Sequence, residues 1–258
     1  INSNSGGSRS CGSMYAQITM PPHKVHACAI LQNGSLVCTG GSDRTLRLWR
    51  LPNSPTTTNT STSTSTVHAE NIATIKTGSC INAICISLNE THIYTGHSDN
   101  SLRIYNYNDT STNNSLECIK TLSNLHTNSI TCIRQHPYDE NTLLTSSKDN
   151  KLLLINVNVN VNINPSSTAG KGSIITLRNK NLIIGNMSEN SNIIAFSYDG
   201  KYIAAGSSNG SICIFDSITG NLQAYLAPCN IGRGITSIQW GNVGLVSADK
   251  SGRIVLWQ

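Results

Sequence analysis

TGGSDRTLRLW, at residues 39–49, begins with a hydroxyl and two glycines, turns at an Asp and then alternates Leu, Arg, Leu and Trp. An isolated hairpin is only marginally stable in water, so this segment needs further strands that share an apolar face. The frame recurs four times, with weaker chemistry in the last two copies. The further copies are TGHSDNSLRIY at 95–105, TSSKDNKLLLI at 145–155, AGSSNGSICIF at 205–215 and SADKSGRIVLW at 247–257. The stretch is therefore one copy of a repeated unit.

The run-up to each copy indicates how many strands one unit contains. Apolar pairs spaced three apart precede the copies, and they are Val25/Cys28, Ile81/Ile84, Ile130/Ile133 and Ile235/Ile238. In the fourth copy, Asp199-Gly200 and Asn209-Gly210 separate strand-like runs, and such pairs accept the positive φ of tight hairpin turns. Each unit is predicted to be an antiparallel meander whose strands alternate at period two. Four strands in a repeat of this size predict an all-β propeller of four-stranded antiparallel blades.

Polar tracts of low complexity explain the uneven spacing of the copies. They lie at 53–66, 108–115 and 156–168 and are rich in Asn, Ser and Thr. Such composition does not offset the entropy of ordering, so we predict loop inserts at about 53–70, 108–115 and 156–172. The Val-Asn alternation of the third tract also fits an extended strand. Residues 1–13 are predicted to form a disordered tail, and residues 14–258 the propeller.

Composition excludes several classes of partner. Charged residues make up 12% of the chain, against about a quarter in typical soluble domains. The net charge of +5 is scattered, and no run of Lys or Arg is interleaved with aromatics, which argues against nucleic-acid binding. No apolar run reaches the roughly 20 residues of a membrane span. No signal peptide is recognised, although the sequence starts at Ile1 and not at Met.

The nine cysteines favour buried thiols over disulfides, because their number is odd and most lie among apolar residues of predicted strands. Such positions are Cys28, Cys38, Cys85, Cys132 and Cys213. A reducing, cytoplasmic compartment is therefore expected. Cys80 and Cys85 lack the second pair or the His-x3-His that a zinc site needs, so neither metal nor cofactor is predicted.

Polar positions that repeat between the copies predict a hydrogen-bonded set. In the first copy, the hydroxyl of Thr39 can supply the acceptor that the buried indole N–H of Trp49 needs, while Asp43 fixes the turn. In the third copy, His126 adds an imidazole from the incoming loop. The predicted set is Thr39, Asp43, Trp49, Thr95, Asp99, His126, Thr145, Asp149, Ser247 and Trp257.

This set resembles the structural hydrogen-bond set of WD-repeat proteins, and the resemblance covers residues 20–258 apart from the inserts. It is complete in no copy. The replacements are Pro21 for His, Tyr105, Ile155 and Phe215 for Trp, and Asn209 and Ser251 for Asp. Asp149, facing Ile155, must find His126, a backbone N–H or water, because an unpaired buried carboxylate is costly. These residues are expected to hold blades together and not to catalyse.

Catalytic interpretations of the same residues are weak, and no enzyme is expected. GSSNG at 206–210 matches the nucleophile pattern G-x-S-x-G, but a nucleophile elbow joins a strand to a helix, and strands are predicted on both sides here. His126 and Asp149 with Ser146 or Ser147 resemble a triad, yet they are fixtures of a repeat. Acidic residues are sparse, and no pair recurs at a spacing suited to acid–base catalysis.

The order of the copies is similar to the last five of seven blades in the autophagy-related protein 16 family. The residues that carry this resemblance are GSCINAIC, TGHSDNSLRIY, LLTSSKDNKLLLINV, FSYDGKYIAAGSSNGSICIFDSITGNL and ITSIQWGNVGLVSADKSGRIVLWQ. It implies a non-catalytic scaffold whose propeller recruits proteins and peptide motifs. It also implies that autophagy conjugation machinery binds through regions outside this chain and that partners recruit the protein to membranes.

A generic WD-repeat adaptor is the alternative, for instance a substrate receptor of a ubiquitin ligase or a ribosome-assembly factor. Heptads upstream of residue 1 would favour the autophagy scaffold, and an F-box-like module would favour the adaptor. Ring closure is also open. YAQIT at 15–19 either supplies the outer strand of the last blade in a five-bladed ring or belongs to a missing blade of a seven-bladed ring.

One face of the propeller is predicted to bind partners. The loops entering each first strand and the residue before each turn Asp should converge there around the central channel. The predicted partner-binding face contains His23, Lys24, Ser42, Cys80, Ser98, Asn128, Lys148, Ser208 and Arg233. Lys24, Lys148 and Arg233 would give it a mildly basic rim suited to an acidic peptide. Ordinary solvated loop ends are the alternative interpretation.

Overall fold

The chain forms five antiparallel sheets. The structure, a computed structural model, describes residues 18, 22–31, 34–52, 68–110, 113–157, 174–177, 182–183, 193–227 and 233–258. Within these residues every sheet is a meander, with its strands in sequence order from one edge to the other. Four sheets have four strands, and three strands of the fifth are described. The predicted all-β propeller fold is confirmed.

The strands are numbered along the chain. Sheet 1 contains β1 (Val25–Leu31), β2 (Leu36–Gly41), β3 (Thr45–Arg50) and β4 (Glu70–Lys76). Sheet 2 contains β5 (Ile81–Ile86), β6 (His92–His97), β7 (Leu102–Thr110) and β8 (Asn113–Leu122). Sheet 3 contains β9 (Ile130–Gln135), β10 (Thr142–Ser147), β11 (Leu152–Asn156) and β12 (Ile174–Leu177). Sheet 4 contains β13 (Ile194–Phe196), β14 (Tyr202–Gly206), β15 (Ile212–Asp216) and β16 (Leu222–Leu226). Sheet 5 contains β17 (Ile235–Gly241), β18 (Gly244–Asp249) and β19 (Ile254–Trp257).

The turn between the second and third strands has the same backbone in every sheet. The residue after the turn polar residue takes a positive φ, which is 60° at Arg44, 68° at Asn100 and 62° at Asn150. Gly210 and Gly252 occupy this position in sheets 4 and 5. Gly and Asn accept this conformation readily, so Asn209-Gly210 predicted its turn well, whereas the residue type of Arg44 gave no such signal.

Successive sheets pack by placing an isoleucine of one against a glycine of the previous one. A Cβ on Gly40 would lie 2.8 Å from Ile81, and one on Gly96 would lie 2.5 Å from Ile130. The same contact recurs between sheets 4 and 5, where Gly206 receives Ile235. The isoleucine pairs that precede the copies are therefore packing residues, whereas Val25 and Cys28 of the first pair are exposed. Clusters of buried apolar side chains span neighbouring sheets.

The middle strands depart from the predicted period-two alternation. In β6 and in β10, five consecutive residues are buried. These strands lie between neighbouring sheets, so both of their faces are covered. Polar residues on them, such as Thr95 and Thr145, are fully buried and must find partners inside the protein.

The tract at 108–115 was predicted as a loop, and this prediction is wrong. Strand β7 extends to Thr110 and β8 begins at Asn113, and they pair Asn108 with Ser115 and Asp109 with Asn114. Strand pairing satisfies backbone groups whatever the side chains are, so polar composition does not prevent it. The other inserts, predicted at about 53–70 and 156–172, lie outside the described residues except at their ends, where Glu70 begins β4 and Asn156 ends β11. The predicted tail at 1–13 and YAQIT apart from Ile18 also lie outside the described residues.

Candidate partner-binding face

The predicted face has the same backbone frame in all five sheets. The residue before the turn polar position donates its N–H to a carbonyl of the segment that precedes the first strand of its sheet. Donor and acceptor residues are Ser42 and Lys24, Ser98 and Cys80, Lys148 and Ser129, Ser208 and Ile183, and Lys250 and Gly234, at distances of 2.9 to 3.0 Å. The incoming segments and the turns therefore lie together, as the repeat spacing predicted.

Side-chain contacts join this face from one sheet to the next. Cys80 Sγ of sheet 2 lies 3.6 Å from Ser42 O of sheet 1, and Ser129 Oγ of sheet 3 donates to Ser98 O of sheet 2 at 3.2 Å. Ser42 Oγ also accepts a hydrogen bond from Lys24 N at 3.0 Å. The backbone of the face is thus fixed both within and between the first three sheets.

Exposure separates the predicted face residues into three groups. Lys24, Ser98, Asn128 and Arg233 are exposed, whereas Ser42, Cys80, Lys148 and Ser208 are partly buried. His23 points behind the face, with its side chain 8% exposed and Nε2 3.5 Å from Asp43 Oδ2. Lys250 is an exposed cation in sheet 5 at the position equivalent to Lys148 of sheet 3. It was not predicted as a face residue, because the last copy has no Asp in the expected turn position.

The indole side chains behind the face donate to hydroxyls on the middle strands. Trp49 Nε1 donates to Thr39 Oγ1 at 2.8 Å in sheet 1, and Trp257 Nε1 donates to Ser247 Oγ at 2.8 Å in sheet 5. These two pairs belong to the predicted set. In sheet 4 the corresponding residues are Ala205 and Phe215, which have neither the hydroxyl nor the donor.

In sheet 2 the hydroxyl of Thr95 bonds to a histidine that the sequence missed. His97 lies at the end of β6, and its Nε2 is 2.7 Å from Thr95 Oγ1 while its Nδ1 is 3.1 Å from Ser79 Oγ. Burial and the nearby charge of Arg103 lower the pKa of His97 to about 4, although Asp99 opposes the shift. The ring is therefore neutral at pH 7. The predicted set placed imidazoles in the incoming loop and not on the strand.

In sheet 3 the histidine comes from the incoming loop, as predicted. His126 Nδ1 lies 3.1 Å from Asp149 Oδ2, and Nε2 lies 2.9 Å from Thr145 Oγ1. The N–H of Thr127 also donates to Asp149. Burial by itself raises the pKa of Asp149, but the hydrogen bonds from His126 and from backbone N–H groups, with the charge of His126, outweigh it and lower this pKa to about 2.

The other two turn carboxylates pair with an arginine four residues later. Asp43 lies 2.5 Å from Arg47 Nη1, and Asp99 lies 2.5 Å from Arg103 Nη2. His23 also approaches Asp43, so this residue, and not Pro21, fills the histidine position of sheet 1. The incoming segment is shorter there than in sheet 3, which moves the imidazole closer to β1.

Asp249 takes over the turn in sheet 5 from a different position. It stands two residues before Ser251, and its Oδ1 accepts hydrogen bonds from Ser251 N at 2.8 Å and from Arg253 N at 3.2 Å. In sheet 4, Asn209 Oδ1 accepts from Ser211 N at 3.0 Å, as a turn Asp would. The turn therefore keeps an acceptor in both sheets despite the missing Asp.

Family comparison agrees with these repeating contacts. The family model for the WD domain, G-beta repeat, matches residues 15–50, 69–106, 116–156 and 186–216. Together these matches cover more than half of the chain. The chain belongs to the WD-repeat family. The fifth WD repeat lies outside the matches, yet its sheet has the same turn frame and the same Trp–Ser bond.

Two relatives narrow the similarity within the WD-repeat family. Protein tipD from Dictyostelium discoideum is 29% identical over 229 residues, which are 88% of this chain and 32% of the relative. Autophagy-related protein 16 from Arabidopsis thaliana is 28% identical over 246 residues, which are 93% of this chain and 40% of the relative. The resemblance to autophagy-related protein 16 is thus confirmed, and the chain spans between a third and two fifths of the length of these relatives.

The contacts of the candidate catalytic residues are those of a WD repeat. Ser208, the serine of the pattern, lies between β14 and β15, so G-x-S-x-G here is a hairpin turn and not a strand-to-helix elbow. Both ring nitrogens of His126 are engaged by Asp149 and Thr145. Ser147 Oγ donates to Asn128 O, which leaves no serine hydroxyl bonded to His126. WD-repeat proteins generally act as non-catalytic scaffolds.

The cysteines that the structure describes are free thiols. Burial raises the pKa of Cys85 and of Cys213 to about 11 in each case, so both are protonated at pH 7. Cys28 was predicted to be buried but is exposed, since no described sheet packs on that side of β1. Within the described ranges, no three His, Cys, Asp or Glu side chains lie close enough to hold a metal ion. No helix in the described part of the chain has the length and apolarity to cross a bilayer.

Proposed function

We propose that this chain is the non-catalytic, partner-recruiting propeller of a scaffold similar to autophagy-related protein 16. The observation that carries the proposal is the similarity to that protein over 93% of this chain. WD-repeat domains generally bind other proteins. The similarity to autophagy-related protein 16 adds autophagy as the proposed process. This chain covers 40% of the length of that relative. We place any binding of conjugation machinery in regions outside this chain.

The face built from the turns and incoming segments is the proposed binding surface, and an acidic peptide is the proposed ligand. Lys24, Arg233 and Lys250 are exposed there, and Lys148 stands before the turn of sheet 3. Negative charge on the same face is already used, because Asp43, Asp99 and Asp149 pair with Arg47, Arg103 and His126. Asp249 accepts hydrogen bonds from the N–H groups of Ser251 and Arg253, so the described turn carboxylates of this face are engaged, and its exposed cations favour negatively charged partners.

Affinity capture tests the process. The intact gene product and this chain would be used side by side as baits, with captured proteins identified by mass spectrometry. The proposal expects the autophagy conjugate with the intact product and not with this chain alone. Recovery of cullin subunits or pre-ribosomal proteins in place of the conjugate would overturn the autophagy assignment and favour a generic adaptor.

Charge reversal tests the surface. The double variant K148E/R233E should lose the partners that the wild-type chain captures and should keep its thermal stability. K201E reverses an exposed lysine between β13 and β14, at the opposite ends of the strands from the face, and should keep the partners. Unchanged capture by K148E/R233E would exclude this face as the binding surface.

A further inference from the structure

A cavity lies at the opposite ends of the inner strands from the predicted face. Its volume is about 440 Å³, which falls in the range of small-ligand and peptide pockets. It is lined by Arg134, Gln135, Pro137, Tyr138, Phe196 and Tyr198, with smaller contributions from Ala195, Ser197 and Gln239. These residues come from the carboxyl ends of β9, β13 and β17 and the segments that follow β9 and β13.

Arg134 is the one charged residue that lines the cavity. Its Nη1 donates to Ile133 O at 3.0 Å, and it has no carboxylate partner in the described part of the chain. The aspartate side chains in the segments that follow β9 and β13 make hydrogen bonds within their own turns. Asp139 accepts from Asn141 N and Thr142 Oγ1, and Asp199 accepts from Ser197 Oγ. The cavity therefore presents a positive charge that is not neutralised locally.

Two tyrosines form the rim of the cavity, and their rings are unusually accessible. Tyr138 is 64% exposed and Tyr198 is 68% exposed. Phe196 forms part of the floor between them. Tyrosine and arginine together are the residue types that dominate the energetics of protein interfaces, because they offer large rigid contact area and directed polar groups.

Gln135 adds an acceptor of fixed direction. Its Nε2 donates to Asp139 O at 2.8 Å and to Thr142 O at 3.2 Å, so the orientation of the amide is determined. Its Oε1 is buried and accepts no hydrogen bond. A buried acceptor without a donor costs free energy that a ligand N–H would recover.

The walls of the cavity are held in place before any ligand arrives. His136 Nδ1 accepts the N–H of Tyr138 and of Asp139, so its Nε2 carries the proton and donates to Gly200 O of sheet 4 at 3.2 Å. The same ring packs edge-on against Phe196 at 5.0 Å. A site that is already assembled avoids the entropy of ordering its residues on binding.

From these contacts we propose that the cavity binds a short peptide segment of a partner in which an acidic residue stands beside a large apolar one. The carboxylate pairs with Arg134, the apolar side chain lies between Tyr138 and Tyr198 over Phe196, and a backbone N–H of the peptide donates to Gln135 Oε1. This site is separate from the face of the proposed function and does not depend on it. The chain would then hold two partner segments at once, one at each end of the central channel.

Fluorescence polarisation with two labelled probes tests this site. One probe is the peptide Glu-Leu-Glu-Phe-Glu, and its match has Lys in place of each Glu. The wild-type chain should bind the Glu probe at least ten-fold more tightly than the Lys probe. R134Q should weaken binding of the Glu probe at least ten-fold, which corresponds to about 1.4 kcal/mol. K76Q, at an exposed lysine on β4 of sheet 1, should leave this binding unchanged.

A measurement on the wild-type chain avoids the risk that R134Q disturbs folding. Amide shifts in a titration with the Glu probe should concentrate at Tyr138, Phe196 and Tyr198. Shifts confined to Lys148 and Arg233 would overturn this site while supporting the proposed function. Absence of binding, or equal affinity for the two probes, would also overturn this site, and the capture experiment with K148E/R233E would then decide the proposed function on its own.

Discussion

Thr95 Oγ1 lies 2.7 Å from His97 Nε2, in a sheet that has Tyr105 where sheet 1 has Trp49. The hydroxyl of the middle strand thus keeps a partner although the indole is missing. His126 does the same for Thr145 in sheet 3, and sheet 4 avoids the need by having Ala205. Where the middle strand carries this buried hydroxyl, it has a hydrogen-bond partner, and the residue that supplies the partner differs from sheet to sheet.

His97 should make stability depend on pH in a mildly acidic range. Its pKa is about 4 in the folded state, against 6.5 ordinarily, so the unfolded chain binds the proton first. The contribution is complete above pH 6.5 and is lost as the pH falls toward 4, by about 2–3 kcal/mol. Urea unfolding of the wild type and of H97S between pH 7.5 and 4.5 measures it, since Ser147 occupies this position in sheet 3. H68S, at an exposed histidine, is the control, and equal pH slopes for H97S and the wild type would contradict the prediction.

The Thr39–Trp49 hydrogen bond should show up as a coupling energy. We expect T39V and W49F each to destabilise the fold, and the double variant to cost about 1 kcal/mol less than their sum, because both polar groups are removed together. A double-mutant cycle by urea denaturation gives this value. The cycle S247A and W257F, at the half-buried pair of sheet 5, should give a smaller coupling; additive effects in sheet 1 would contradict the assigned bond.

Asp149 should contribute stability that is lost in stronger acid. Its pKa of about 2 lies below the ordinary 3.8, so the contribution is full above pH 4 and disappears as the pH falls through 2. We expect the loss to be about 1–2 kcal/mol, and D149N should remove this part of the pH dependence. Thermal unfolding between pH 5 and 2.5 tests it, with E117Q at an exposed carboxylate as the control. A wild-type acid slope retained in D149N would show that another carboxylate carries it.

Gly96 should not tolerate even a methyl group. A Cβ there would lie 2.5 Å from Ile130 of the next sheet, so G96A must push the sheets apart and should cost about 1–3 kcal/mol. At Gly241 the nearest atom to an added Cβ is 3.7 Å away, so G241A serves as the matched control and should be nearly neutral. Comparison of the two free energies of unfolding decides the matter, and equal stability would mean that the sheets are less tightly packed than the contacts indicate.

Features that repeat were predictable from the sequence, because five copies average out the peculiarities of each. The turns, the meander and the apolar pairs that became packing residues all follow from the spacing. Thr39 with Trp49, and His126 with Asp149, could be drawn as partners because their residue types match in donor and acceptor. The family and the all-β fold follow from the same pattern.

Features that depend on one sheet were not predictable. His97 took the imidazole role from a strand position, and His23 replaced Pro21 because a shorter segment enters sheet 1. The exposure of Cys28 depends on what lies beside β1, which no local pattern encodes. The cavity beside Arg134 was missed entirely, since its residues come from three inner strands whose ends carry no repeated motif.

In the shared backbone frame of the predicted face, the backbone maintains the fold, and the side chains are left to determine which ligand binds. The amide groups of Ser42, Ser98, Lys148, Ser208 and Lys250 hold the turns in place, and their side chains take no part in that bond. Ser42 Oγ additionally accepts from Lys24 N, whereas the other four positions are open to substitution by most residues other than Pro without loss of the fold. Related chains can diverge in ligand preference there while the scaffold stays unchanged, and the same positions offer an engineer a ready set for redirecting specificity.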